Sequence, residues 1–262
     1  MQMKKLMIFL FVIVLLVVLY YVGPRLPRIP LNTELPAIAV SLDSLETYIE
    51  GKDAGLPVKP GNGGEIVWAD SAGKTTPYVL LYLHGFSASR YEGYPITHDF
   101  IKEFGVNAYL PRLAAHGLDV PEPLLDMTPA NLYNSAKEAL VIAHKLGQKV
   151  VIMATSTGCT LALMLAADYP RLVDGLILYS PNIQIKNNFA PLLSGPWGLQ
   201  IARLFHGGKY YRSSDAPGSE DCKYWNCRYR VEAQVYLQQL LDMRMNRKEF
   251  ARVHQPVFLG YY

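Results

Sequence analysis

Ser156 lies between an apolar β-branched run, Val150-Val151-Ile152-Met153, and an Ala- and Leu-rich run, Leu161-Ala162-Leu163-Met164-Leu165-Ala166-Ala167. The first run reads as a buried strand over residues 150–154 and the second as part of a helix over 157–168, which places the serine at the tip of a sharp strand-to-helix turn. A serine held in such a turn can attack a carbonyl carbon, provided the residues two before and two after it are small enough for the turn to close. Ala154 and Gly158 occupy those positions, so the stretch matches G-x-S-x-G with alanine in the first place. The competing reading is that Ser156 or Thr155 merely caps the helix that follows.

Acyl transfer from a serine also needs donors for the oxygen that becomes negative. Two backbone N–H groups supply them in a turn of this kind: one from the residue after the nucleophile, here Thr157, and one from a loop after an earlier strand. Residues 78–83, Tyr-Val-Leu-Leu-Tyr-Leu, form that strand and run into His84-Gly85-Phe86-Ser87. Gly85 allows the tight turn, and the Phe86 N–H is the second expected donor. His84 is read as a structural hydrogen-bonder of this loop, because a catalytic histidine of such a site follows the serine in the chain.

With Pro111-Arg112-Leu113-Ala114-Ala115-His116-Gly117 added, residues 65–262 resemble the α/β-hydrolase superfamily, in particular its monoacylglycerol lipase, lysophospholipase and carboxylesterase-like members. The three motifs stand in the family's order, departing from its pattern at Ala154 and Ala115. The resemblance implies a doubly wound, mostly parallel sheet, a serine esterase activity on lipid or other small-molecule esters, and a helical cap over the acyl pocket. The same superfamily hosts peptidases, so a serine peptidase remains an alternative.

The elements that must position these groups follow from periodicity. Residues 64–69, 78–83, 106–110, 150–154 and 175–181 read as strands, and 94–104, 131–146 and 157–168 as helices, giving an α/β core over 64–181. Residues 182–252 break the alternation, with helices expected at 196–205 and 231–243 around a polar stretch at 207–227. Roughly seventy residues is far more than a crossover between neighbouring strands needs, so this segment is read as the cap. Residues 253–262 read as a last core strand. In the resembled family the catalytic acid follows such a strand, and the histidine comes one βα unit later. Neither arrives: His254 precedes the strand, His206 belongs to the cap, and Asn182 after the preceding strand is not an acid. The expectation is a piece of a longer serine hydrolase, inactive as it stands. The alternative is a non-catalytic binding or scaffold module that keeps the fold.

Residues 1–5 are basic and lead into an apolar run over 6–22, which opens on Leu6 and closes on Val22. It spans roughly 25 Å at the helical rise, and no small-residue cleavage site follows. The reading is a single-pass membrane anchor with the rest exported; the alternative is a signal removed on secretion. Residues 23–63 are read as a stalk with one packing helix, on which Leu42, Leu45 and Ile49 share a face. Net charge is +3, with no basic cluster interleaved with aromatics, so nucleic acid is not an expected partner. Nothing calls for a cofactor. Of three cysteines, Cys159 reads as buried filler, whereas Cys222 and Cys227 either form a disulfide or stay free; no spacing suits a metal.

Overall fold

Alternation along the strands decides the layers, because successive side chains leave a strand on opposite faces. Val150, Ile152 and Ala154 enter the larger apolar core with Val79, Leu81 and Leu83, while Met153 enters a smaller one with Leu80 and Tyr82 on the other face. The structure, a computed structural model, describes residues 2–216 and 218–261; Met1 and Tyr262, at the ends of the expected basic N-terminus and last strand, lie outside them.

In chain order an exposed helix, α1 (Gln2–Tyr21), comes first, and the core then holds α2 (Leu45–Asp53), β1 (Glu65–Val67), β2 (Thr76–Leu83), α3 (Ile96–Phe104), β3 (Asn107–Leu110), α4 (Pro129–Leu146), β4 (Gly147–Thr155), α5 (Thr157–Asp168) and β5 (Gly175–Tyr179). A second group follows: α6 (Ala190–Leu193), α7 (Gly198–Phe205), β6 (Tyr210–Arg212), α8 (Glu220–Tyr224), β7 (Arg228–Arg230), α9 (Glu232–Arg244) and α10 (Arg247–Phe250), and then β8 (Val257–Gly260). Six strands form one sheet in the order β1-β3-β2-β4-β5-β8, parallel except for β1. The fold is therefore a doubly wound, mostly parallel α/β sheet, as the resemblance implies. The larger core packs α2, α4, α5 and α9 on one face, and α3 covers the other.

Helix α4 starts two residues earlier than periodicity alone places it. The Thr128 hydroxyl accepts from the Asn131 N–H at 3.1 Å, and Pro129 sits at the first helical position, where its missing N–H costs nothing.

The segment between β5 and β8 is more structured than its sequence suggests. The polar stretch holds α8 and β6, which pairs antiparallel with β7 just beyond it, and the Cys222 and Cys227 sulfurs are bonded beside them. Polar ties fasten this group to the core: Asn226 N–H donates to Ser87 O at 2.8 Å, and Arg244 on α9 pairs with Asp168 at the end of α5 at 2.9 Å. Residues 23–44 run along the surface rather than away from it. The Lys137 ammonium donates to the carbonyls of Asn32 and Glu34, each at 2.7 Å, and Leu31, Ile38 and Val40 pack on the larger core.

Candidate active site

Ser156 has φ 51° and ψ −115°, a backbone conformation that L residues rarely adopt and that surrounding bonds must hold. Its N–H donates to Tyr179 O at 3.0 Å, and its carbonyl accepts from the N–H groups of Cys159 and Asn182. Asn182 also reaches the Thr157 hydroxyl at 3.3 Å. The Ser156 hydroxyl makes no capping bond to α5, and the Thr155 hydroxyl lies 3.2 Å from Tyr82 Oη instead. Gly158 lets α5 close on β2, since a Cβ there would stand 1.9 Å from Leu83 O. Ala154, fully buried between Leu83 and Leu178 in the sheet, takes its methyl group into the core without such a conflict.

The loop after β2 shows which N–H groups remain available. Gly85 N–H donates to Glu92 Oε2 at 2.6 Å, Ser87 N–H to His116 Nε2 at 3.2 Å, and Ala88 N–H to Gly85 O at 3.4 Å. Among the described residues, the N–H groups of Phe86 and Thr157 have no acceptor. Gly85 faces Ser156 directly: a Cβ on it would lie 3.3 Å from Ser156 Cβ and 2.8 Å from Glu92 Oε1.

His84 and His116 lock the two motif loops together. His84 Nε2 accepts from Leu113 N–H at 3.2 Å while its Nδ1 lies 3.0 Å from Gly85 O; His116 Nδ1 in turn lies 2.9 Å from Ala114 O. Both rings are buried and meet edge to face at 4.9 Å. Burial depresses their pKa values to about 3 for His84, with the neighbouring His116 adding to the effect, and to about 4 for His116. Ala115, where the related motif has glycine, is held at φ 63° beside them.

Glu92 escaped the sequence reading. It lies on the short 3₁₀ turn Arg90–Gly93, and its carboxylate accepts from Gly85 N–H and, at 3.3 Å, from Tyr82 Oη. Burial raises its pKa, against the pull of those two donors. Its role depends on a loop that folds back seven residues, which neither spacing nor periodicity signals.

None of the described histidines hydrogen-bonds the Ser156 hydroxyl. His144 approaches Leu172 O, and His206 approaches Gln234 Oε1 in the wall of an apolar cavity of about 520 Å³ that also includes Phe86, Ile185, Leu193 and Leu237. Phe86 meets Tyr229 of β7 edge to face at 5.1 Å, so the loop carrying one free N–H forms part of the cavity wall. Among the described residues no group of three His, Cys, Asp or Glu is placed to hold a metal ion.

A family model described as "Alpha/beta hydrolase family" matches residues 80–259, which spans β2, the Ser156 turn and β8. The chain belongs to the alpha/beta hydrolase family. A comparison with curated proteins finds no match by sequence. Among solved structures this hydrolase resembles one from a study of LipS and LipT, two metagenome-derived lipolytic enzymes, at 16% identity and TM-score 0.62, covering 78% of this chain and 77% of that one. It also resembles DcsB in complex with its substrate analogue, at 16% identity and TM-score 0.53, covering 77% and 78%. Est1E from Butyrivibrio proteoclasticus with bound ferulic acid is similar at 16% identity and TM-score 0.50, covering 79% and 77%. At these identities the likeness is one of fold.

The two buried imidazoles make the hydrolase acid-sensitive. Below the ordinary histidine pKa of about 6.5 the unfolded chain takes up protons that the folded chain excludes until pH falls to about 4 for His116 and about 3 for His84. Stability therefore falls as pH drops through that window. Glu92, with its raised pKa, opposes this only near the carboxylate range. The unfolding free energy from urea titration is expected to fall by several kcal/mol between neutral pH and about pH 4. A flat profile would show that the two rings are not held neutral.

Proposed function

We propose that this chain is a serine hydrolase of carboxylic esters, with Ser156 as nucleophile and the Phe86 and Thr157 N–H groups as the oxyanion hole. One observation carries the reading: those two N–H groups are left without acceptors on either side of a serine in a strained turn, while the N–H groups of Gly85, Ser87 and Ser156 beside them are bonded. The Ser156 oxygen attacks the ester carbonyl carbon and its proton passes to a base. The carbonyl electron pair moves onto oxygen, where the two N–H groups stabilise it. Collapse expels the alcohol, which takes a proton, and water then releases the acid by the same steps. The apolar cavity beside Phe86 suits an acyl chain. Ester chemistry on this frame also agrees with the lipolytic and ferulic-acid-binding proteins of like fold.

The base has a place to come from. Val257 and Leu259 of β8 are exposed, and with Leu163, Leu178 and Tyr261 they line an apolar groove at the sheet edge. A further βα layer packed there would carry an acid and a histidine to the carboxyl ends of the strands, where Ser156 lies. We further propose that α1, whose residues Met3–Tyr21 have mean hydropathy 2.5 and no buried share, anchors the chain in a membrane with the hydrolase domain exported.

The test is covalent labelling. The 262-residue chain treated with a fluorophosphonate is expected to form an adduct slowly, and peptide mapping should place it on Ser156. An adduct on another serine, or none even in a chain extended by the layer that carries the acid and the histidine, overturns the catalytic reading. The latter result would favour the alternative, a binding module.

A further inference from the structure

The end of α1 is joined to the cap rather than to a free tether. Trp197, between α6 and α7, donates its indole N–H to Leu19 O at 3.1 Å and its backbone N–H to Pro24 O at 2.8 Å. Its ring lies against Gly23, where a Cβ would stand 2.0 Å from Nε1. Just beyond, Leu26 packs with Leu193, Leu199, Ala202 and Val235, and its carbonyl accepts from the Gln239 amide at 3.2 Å. The orientation of the cap is thus fixed relative to α1.

Next to this junction the cap presents an apolar surface to the outside. Helix α7 buries Gly198 and Ala202 inward, yet Leu204 and Phe205 are each 84% exposed, and Ile201 is partly so. Phe189 before α6 is also exposed. A solvent-facing helix ordinarily turns polar residues outward. Phe189, Leu192, Ile201 and Phe205 also line the 520 Å³ cavity that reaches Phe86, so the patch forms the rim of that cavity. Arg25 and Arg28, exposed just past α1, stand where they can meet phosphate headgroups.

We propose that the outer face of α6 and α7 lies in the interface of the same bilayer that α1 enters, so that the cavity opens into lipid and the ester reaches Phe86 and Ser156 from the membrane. The occupant is a lipid surface because the patch is bonded to the very residues at which the apolar helix ends. A surface fixed there meets headgroups and the upper acyl region whenever α1 spans. The inference rests on α1 being in the membrane and on the ester-hydrolase reading, which the Ser156 adduct tests separately.

The full chain, reconstituted in phosphatidylcholine nanodiscs, carries an environment-sensitive fluorophore on a single introduced cysteine. The positions are Leu204→Cys on the patch, Leu10→Cys in α1 and Glu103→Cys on α3; of the native cysteines, Cys159 is buried and the other two are bonded. With nitroxide lipids the label at position 204 is expected to blue-shift and lose most of its emission to a shallow nitroxide, the label at 10 to a deep one, and the label at 103 to neither. Quenching at 10 without quenching at 204 overturns the docking while leaving the anchor standing. Quenching at neither shows that α1 is not in the bilayer, and the proposal falls with it.

Discussion

Gly158→Ala is expected to destabilise the chain by about 3 kcal/mol or more, near the upper end of what overpacking costs and equivalent to over a hundredfold in the folded-to-unfolded ratio. The new methyl carbon would lie 1.9 Å from Leu83 O, 2.6 Å from Leu83 C and 2.8 Å from His84 O, all backbone atoms. A side chain could turn aside, but β2 cannot. It is bonded to β3 on one edge and β4 on the other, and a shift of its end would drag His84, Gly85 and Phe86 away from Ser156. Loss of the Ser156 adduct should therefore accompany the loss of stability. Gly175→Ala provides the contrast: its nearest neighbour would be Val151 Cγ2 at 3.8 Å, ordinary contact, so a change within about 1 kcal/mol is expected. Urea unfolding midpoints of the two variants measure the difference. Equal midpoints would mean that the approach of α5 to β2 is not what requires glycine at position 158.

The parts of this molecule that were legible in its sequence are those where geometry restricts residue type. The Ser156 turn could be read because a strand of Val and Ile, a small residue at Ala154 and a glycine at Gly158 are together rare except where backbones approach closely. The parallel sheet could be read because strands buried on both faces leave apolar runs. Other features were hidden because polar contacts between distant residues leave no periodic trace. The pairing of β6 with β7 begins in a stretch that reads only as polar, and residues 23–44 read as a stalk although contacts of Lys137 and Leu26 hold them to the domain. The join between Trp197 and Leu19 links residues 178 apart in sequence. Glu92 belongs to the same class: a carboxylate among charged and aromatic neighbours, distinguished only by the N–H that the fold brings to it.

That carboxylate sets up the second large effect. Gly85 and Phe86 are consecutive, so the direction in which the Gly85 N–H is held constrains the peptide that presents the Phe86 N–H. Glu92 fixes the first at 2.6 Å and is itself steadied by Tyr82 Oη, which also lies 3.2 Å from the hydroxyl of Thr155, the residue before Ser156. One partly buried carboxylate thereby ties both sides of the proposed oxyanion hole. Glu92→Ala leaves the Gly85 N–H and the Tyr82 hydroxyl without that acceptor, at a cost of about 1–3 kcal/mol for each buried group left unsatisfied. The freed loop no longer holds the Phe86 donor in line. Losing one oxyanion donor lowers rates by roughly 10² to 10³, so the maximal rate of fluorophosphonate labelling at Ser156 is expected to fall by on the order of 10², with the probe concentration at half-maximal rate little changed. Glu92→Gln should recover most of the rate, because its amide oxygen can still accept from Gly85 N–H. A structural defect alone would instead lower the fraction of chains that label, not the rate constant of those that do. If Glu92→Ala labels as fast as the parent chain, the Gly85 bond does not position the oxyanion hole, and the raised pKa of Glu92 reflects burial without a catalytic consequence.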